Sequence, residues 1–252
     1  MIRRVLSPVL LLFVLAGCRS TAPLQPSAPP QPPPAPVAAA TPSATDPDSI
    51  RWVRDAAEYR AAVVQTYRVA TMRVEAEART RTAGTWAVVL DADETIISNV
   101  TYQQERARQG LPYSTESWAA WVRRREATPL PGAAAFLTRV RALGGRIAVV
   151  TNRLQSECDD TAAVFARYQL AYDEMLCRPN GGPSDKNPRF QAVAAGKPPA
   201  GTSPLEVVAF VGDNILDFPD LGQSVKEKGE AGLEAFGSRF FMLPNPMHGN
   251  WQ

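Results

Sequence analysis

Residues 86–95 read WAVVLDADET: five apolar residues from Trp86 to Leu90 run directly into Asp91, Ala92, Asp93, Glu94 and Thr95. A short unbroken apolar run that stops at polar residues is the pattern of a strand buried on both faces, as in a parallel sheet. Similar runs follow: RIAVV at 146–150, EMLC at 174–177, EVVAFV at 206–211 and RFFML at 239–243. Helical periodicity separates most of them, at 132–143 after Pro131 and at 156–169. Strands alternating with helices predict an α/β fold with a mainly parallel sheet. Upstream, Trp52, Ala56, Tyr59, Val63, Tyr67, Ala70 and Val74 recur at steps of three and four. They predict one long helix, or a broken pair, from Asp48 to about Arg81, ended near Gly84. Asn99 to Thr128 has no strand pattern and carries Trp118 and Trp121, which predicts a helical insertion.

The 252 residues, 45% hydrophobic and 21% charged, suffice for one main domain with room for that insertion. Before it, Arg3 and Arg4 lead into the apolar run VLLLFVLAG and then Cys18. This is the layout of a secretory signal over 1–17, too short for a comfortable membrane span. Leu15-Ala16-Gly17-Cys18 is similar to a lipobox, which makes Cys18 the lipidated first mature residue; an ordinary signal with an incidental cysteine is the alternative. Arg19 rather than Asp follows, the pattern of outer-membrane sorting, with the domain facing the periplasm or the surface. Residues 18–47 read as a lipidated cysteine and tether: ten of the 23 prolines lie between Pro23 and Pro47 with no aromatic residue. In polyproline II geometry such a tether reaches at most roughly 75 Å. The folded domain is expected over 48–252. Export permits a disulfide between Cys158 and Cys177, and two separate buried thiols fit the sequence equally.

Charge and histidine content exclude several functions. Without Arg3 and Arg4, 25 Lys and Arg face 25 Asp and Glu, so there is no electrostatic case for a nucleic acid polymer. The single histidine, His248, lies close to the C-terminus and argues against H-E-x-x-H zinc sites, Ser-His-Asp triads and histidine-nucleophile phosphatases.

In an open parallel sheet the ligand binds beyond the carboxyl ends of the strands. There the chain places Asp91, Asp93 and Thr95, then Thr151, Asn152 and Arg153, then Asp213, Asn214 and Asp217. The loop GGPSDKNPR adds Lys186 and Arg189. Asp91 and Asp93, two apart, point to one side in an extended chain, and like charges gathered there require a cation. With Asp213 they make an oxygen-rich shell of the kind Mg²⁺ prefers. A calcium loop of EF-hand type is excluded, because Ile96 stands at its glycine position and Tyr102 at its final glutamate.

The stretches VVLDADET, VVTNR, KNPR, VGDNILDF and FMLPNPMHGNW together resemble the class C nonspecific acid phosphatases, in the DDDD group of the haloacid dehalogenase (HAD) superfamily. That family includes surface lipoproteins with 5'-nucleotidase activity. The resemblance runs from about Trp52 to Trp251 and implies a Rossmann-like core with a small helical cap, here at about 99–128. It implies Asp91 as nucleophile, Asp93 as general acid and base, and Thr151 and Lys186 as phosphoryl contacts. Mg²⁺ would be bound by Asp91, the Asp93 carbonyl and Asp213, with Asp217 steadying the shell. Asn152, Tyr102, Tyr113 and Trp118 would meet the substrate, although the three aromatic residues fit cap core equally well. His248 stands where that family carries Tyr, and could still stack on a base; Glu94 reads as solvated. The implied reaction is Mg²⁺-dependent hydrolysis of small phosphomonoesters, nucleoside 5'-monophosphates among them, through an aspartyl phosphate. A ligand-binding lipoprotein on the same fold and a phosphotransferase to an alcohol acceptor are the alternatives.

Overall fold

The computed structural model describes residues 46–251; the expected signal segment, Cys18 and the tether up to residue 45 lie outside the described residues, as does Gln252. The elements are α1 (Asp48–Asp55), α2 (Ala57–Ala78), β1 (Trp86–Leu90), β2 (Ile97–Ser98), α3 (Val100–Gln109), α4 (Thr115–Arg124), β3 (Thr128–Pro129), α5 (Ala133–Ala142), β4 (Arg146–Leu154), α6 (Cys158–Arg167), β5 (Glu174–Arg178), α7 (Asn187–Ala195), β6 (Glu206–Gly212) and β7 (Phe240–Met242). Five strands form one sheet in the order β5-β4-β1-β6-β7, and every pairing is parallel.

Alternate residues of β1 explain why it is apolar throughout. Val88 and Leu90 face a core shared with Val63, Tyr67 and Val74 of α2 and Phe136, Leu137 and Val140 of α5. Ala87 and Val89 face a second core with Phe190 and Val193 of α7 and Phe210 and Phe240. Both faces of the strand are therefore dry, and polar residues are confined to its ends.

The upstream apolar stripe is a broken pair. Ala56 takes an extended backbone (ψ 132°), ending α1 just before α2 begins. Asp46, within the expected tether, is already packed on the domain. Asp46 is buried and accepts hydrogen bonds from Gln104 (2.6 Å), Arg108 (3.2 Å) and Arg54.

The insertion is helical as expected, with one correction: its base is a two-stranded antiparallel ribbon, pairing Ile97 with Pro129 and Ser98 with Thr128. Two-residue strands give no periodicity to read. The carboxyl limit of one main strand also moves well outward. β4 runs on through Thr151 to Leu154 because Leu154 still pairs with Arg178 of β5. Thr151 to Arg153 are thus strand residues rather than the loop after it.

Cys158, at the start of α6, and Cys177, in β5, are joined by a disulfide across a Cα separation of 6.2 Å. The 19-residue sequence separation gives a loop-closure contribution of about 3 kcal/mol. The Cys158→Ser/Cys177→Ser double variant is expected to unfold on the order of 6–12 °C lower than the parent in a thermal melt. An unchanged midpoint would show that the bond adds no stability.

Candidate active site

The connection after β1 leads toward β4, whereas β6 leads outward to β7, so the crevice at the carboxyl ends of β1 and β6 is where a ligand binds in such sheets. Asp91 follows β1, and its N–H donates to the Val211 carbonyl (3.0 Å). Asp213 follows β6. Asp217 is folded back beneath it by a short 3₁₀ turn at 215–217, in which the Asn214 N–H donates to Asp217 Oδ2 (2.9 Å). Gly212 allows that return, since a Cβ there would overlap the Asp217 side chain. One carboxylate oxygen from each of Asp91, Asp213 and Asp217 lies within 4.8 Å of the others.

Lys186 enters this cluster from the N-terminus of α7 and is 3% exposed. Its Nζ donates to Asp91 Oδ1 (2.5 Å) and Asp217 Oδ1 (2.6 Å). Burial pushes the lysine pKa down, but the charges of Asp217 and Asp91 more than offset that and hold it above its ordinary value. Burial pushes the Asp91 carboxyl up; Lys186 pulls it down, Asp217 and Asp93 push it up again, and it stands at about 7. Asp213 is raised well above the carboxylate range by burial and by the charges of Asp217, Asp91 and Glu94. One ammonium does not balance three carboxylates, two buried and one half-buried, and the oxygen-only donor set fits a hard divalent cation.

Asp93 has a separate set of partners. Its Oδ1 accepts from Arg153 Nη2 (2.7 Å), Arg153 Nε (3.0 Å) and Asn99 Nδ2 (2.8 Å), while Oδ2 accepts only a 3.1 Å bond from Arg153 Nε. Trp121 Nε1 donates to Asn99 Oδ1 (2.8 Å), tying the cap to the same group. Arg189 steadies the floor by donating to the Thr151 carbonyl and to Asn152 Oδ1 (2.6 Å).

A cavity of about 420 Å³ opens beside this centre, lined by Asp93, Gln103, Tyr113, Trp118, Asn152, Arg153, Arg178 and His248. Of the expected substrate contacts, Tyr113, Trp118, Asn152 and His248 are on its wall. Tyr102 is not. It is buried, its hydroxyl is hydrogen-bonded to Ser117 Oγ (2.8 Å), and its ring meets Trp118 edge-on at 5.2 Å, so it supports the wall from behind. Thr151 is fully buried, and its Oγ1 accepts from the Arg153 N–H (3.1 Å).

Glu94 is not solvated: it is 1% exposed, in the left-handed region (φ 51°). It accepts from the Asn99 N–H (2.6 Å) and contacts His248 Nε2 at 3.1 Å. Burial pushes the His248 imidazole down, but the bond to Glu94 and the charges of Glu94, Asp213 and Asp93 hold it at about 9. The sequence reading assigned no role to Arg153, Asn99 or Asn245, whose Nδ2 donates to Asp213 Oδ2 (2.7 Å). All three lie in or beside motifs already quoted, but pairing across 60 residues leaves no trace in local spacing.

Lys186→Met removes the only ammonium between Asp91 and Asp217. In chelator it is expected to lower unfolding free energy by about 3–5 kcal/mol, read from urea titration, because buried carboxylates lose their partner. A loss under about 1 kcal/mol would mean that the pair is screened by solvent.

The family model "HAD superfamily, subfamily IIIB (Acid phosphatase)" matches residues 36–251. The structure of the class C acid phosphatase from Bacillus anthracis is similar, with 29% identity and a TM-score of 0.70 over 81% of this chain and 84% of that one. A second structure of that protein, with tungstate bound, matches to the same extent. Phosphatases of this superfamily generally use a divalent metal, consistent with the acidic cluster at 91, 213 and 217. With the five-stranded parallel core and this match along most of its length, the chain belongs to subfamily IIIB of the HAD superfamily, among the class C acid phosphatases, whose reaction is hydrolysis of a phosphomonoester.

Proposed function

We propose that this protein is a Mg²⁺-dependent acid phosphatase that hydrolyses small phosphomonoesters, nucleoside 5'-monophosphates included, through an aspartyl phosphate on Asp91. The observation that carries the reading is the division of labour between two aspartates two residues apart. Asp91 lies in the acidic cluster against Lys186, whereas Asp93 faces the neighbouring cavity. A site that merely captured a ligand would have no need for the second carboxyl.

In the first step an Asp91 oxygen attacks phosphorus and the ester P–O bond breaks. Asp93 gives its proton to the departing oxygen, releasing the alcohol. In the second step Asp93 takes a proton from water, whose oxygen attacks the same phosphorus, and the Asp91–phosphorus bond breaks to release inorganic phosphate. Oδ2 of Asp93 is suited to that exchange because Oδ1 already accepts three N–H bonds. Thr151 and Lys186 would hold the phosphoryl oxygens. Asp91, the Asp93 carbonyl and Asp213 would hold Mg²⁺, with Asp217 fixed behind them; when bound, the ion neutralises charge developing on the phosphoryl group. The relative's structure with tungstate, a tetrahedral oxyanion shaped like phosphate, supports an oxyanion site in this fold.

Trp118 and Tyr113, with ring centroids 6.2 Å apart on the cavity wall, offer a stacking surface for a nucleobase, and His248 borders the same space. The Cys158–Cys177 disulfide suits an oxidising compartment, in keeping with export and outer-membrane anchoring through lipid on Cys18.

Asp91→Asn is expected to abolish turnover of every ester. Asp93→Asn should spare aryl phosphates, which have good leaving groups, and slow nucleoside monophosphates by about 10²–10⁴-fold. Equal losses for aryl and nucleoside esters would remove Asp93 as general acid. Nucleoside monophosphates assayed alongside other phosphomonoesters, with Mg²⁺ and with chelator, test substrate and metal together; activity unaffected by chelation would contradict the cation site. Cys18→Ser is expected to leave the membrane fraction or accumulate unprocessed, and unchanged processing and fractionation would refute lipidation.

A further inference from the structure

The cavity beside Asp93 holds one cation that the machinery above does not use. Arg153 is committed to Asp93, and His248 is paired with Glu94. Arg178, at the end of β5, lines the same cavity, and among the described residues its side chain has neither an acidic partner nor a hydrogen-bond acceptor. Its Nε is buried with no acceptor, so no hydrogen bond from that atom ties the side chain to the protein. β5 pairs with the extended end of β4, where Leu154 stands opposite Arg178, so the sheet sets the point from which the Arg178 side chain enters the cavity wall.

The scissile phosphate is already provided for by Lys186 and the metal cluster, so Arg178 would answer a different part of the substrate. Asp93 marks where the leaving oxygen sits, and Arg178 shares the cavity with it. We infer that Arg178 is a specificity-determining residue that binds a second anionic group, a carboxylate or another phosphate, on the leaving alcohol. An arginine carries donors and no acceptor, and its planar fork matches carboxylate or phosphate oxygens two at a time. Gln103 and Asn152, also on the wall, are neutral, Asp93 is taken up by Arg153, and the buried Glu157 beside Leu154 makes no salt bridge with Arg178 among the described residues. This inference rests on the reading that the cavity receives the leaving group.

The test compares matched ester pairs that differ by one anion. Adenosine 3',5'-bisphosphate against adenosine 5'-monophosphate examines a phosphate, and 3-phosphoglycerate against glycerol 3-phosphate examines a carboxylate, with release from the shared position followed. p-Nitrophenyl phosphate is the reference substrate for the parent, Arg178→Gln and Arg178→Lys. In the parent the doubly anionic member of at least one pair is expected to have the higher kcat/KM, on the order of tenfold and mostly through KM. The pair showing the preference identifies the anion. Arg178→Gln should bring that ratio to about one, and Arg178→Lys should restore part of it. A parent ratio of one or below in both pairs overturns the inference, even if no variant folds. So does a ratio that Arg178→Gln leaves unchanged. Failure of the nucleotide reading is seen separately, as poor turnover of both adenosine esters while the glycerol pair and the reference substrate are hydrolysed.

Discussion

Lys186 stands between Asp91 and Asp217, and the rest of the centre depends on that contact. Three carboxylates, two of them buried, are gathered at the ends of two adjacent strands, and one ammonium relieves part of their repulsion. The remaining negative charge makes the crevice a place for a divalent cation and then for a phosphoryl dianion. Removing water is costly for each charge alone, and it makes the correctly placed counter-charge effective.

The surrounding fold is arranged to hold those charges in place. Gly212 lets Asp217 return beneath the end of β6, and the Asn214 N–H fixes its second oxygen. Arg189 ties the end of β4 to the loop that carries Lys186, through the Thr151 carbonyl, Asn152 and the Ser184 and Asp185 carbonyls. Tyr67, from the middle of α2, donates to the Thr95 carbonyl (2.7 Å) and braces the turn after Asp93. The cap joins the same network: Trp121 reaches Asn99, and the Arg153 guanidinium lies 5.3 Å from the centre of the Trp118 ring. Asp93 is therefore connected to the wall that would meet the leaving group, so cap packing and the proposed proton transfer share residues.

Much of this was legible in the sequence because dry strands have a simple grammar. Trp86 to Leu90 had to be buried on both faces, and a polar residue could appear only where the strand ended, which located Asp91 and Asp213; Thr151 was legible as the first polar residue after an apolar run, although β4 continues past it. Features set by distant pairing were not legible. The ribbon at 97–98 and 128–129 is too short for a period, and the extension of β4 depends on Arg178 continuing β5. Glu94 looked solvated because acidic residues usually are, yet its burial follows from Asn99 and His248, the latter 154 residues away. Tyr102 was ambiguous between wall and core; the neighbouring Trp118 occupies the wall and leaves Tyr102 behind it.

Whether Asp91 carries the phosphoryl group decides the chemistry at this centre. Rapid acid quench of the enzyme during turnover with Mg²⁺, borohydride reduction of any acyl phosphate and peptide mass spectrometry examine this directly. Reduction confined to position 91, converting that aspartate to homoserine, is the expected result. A reaction under full turnover that never labels Asp91, or that labels another carboxylate, would contradict the proposed chemistry.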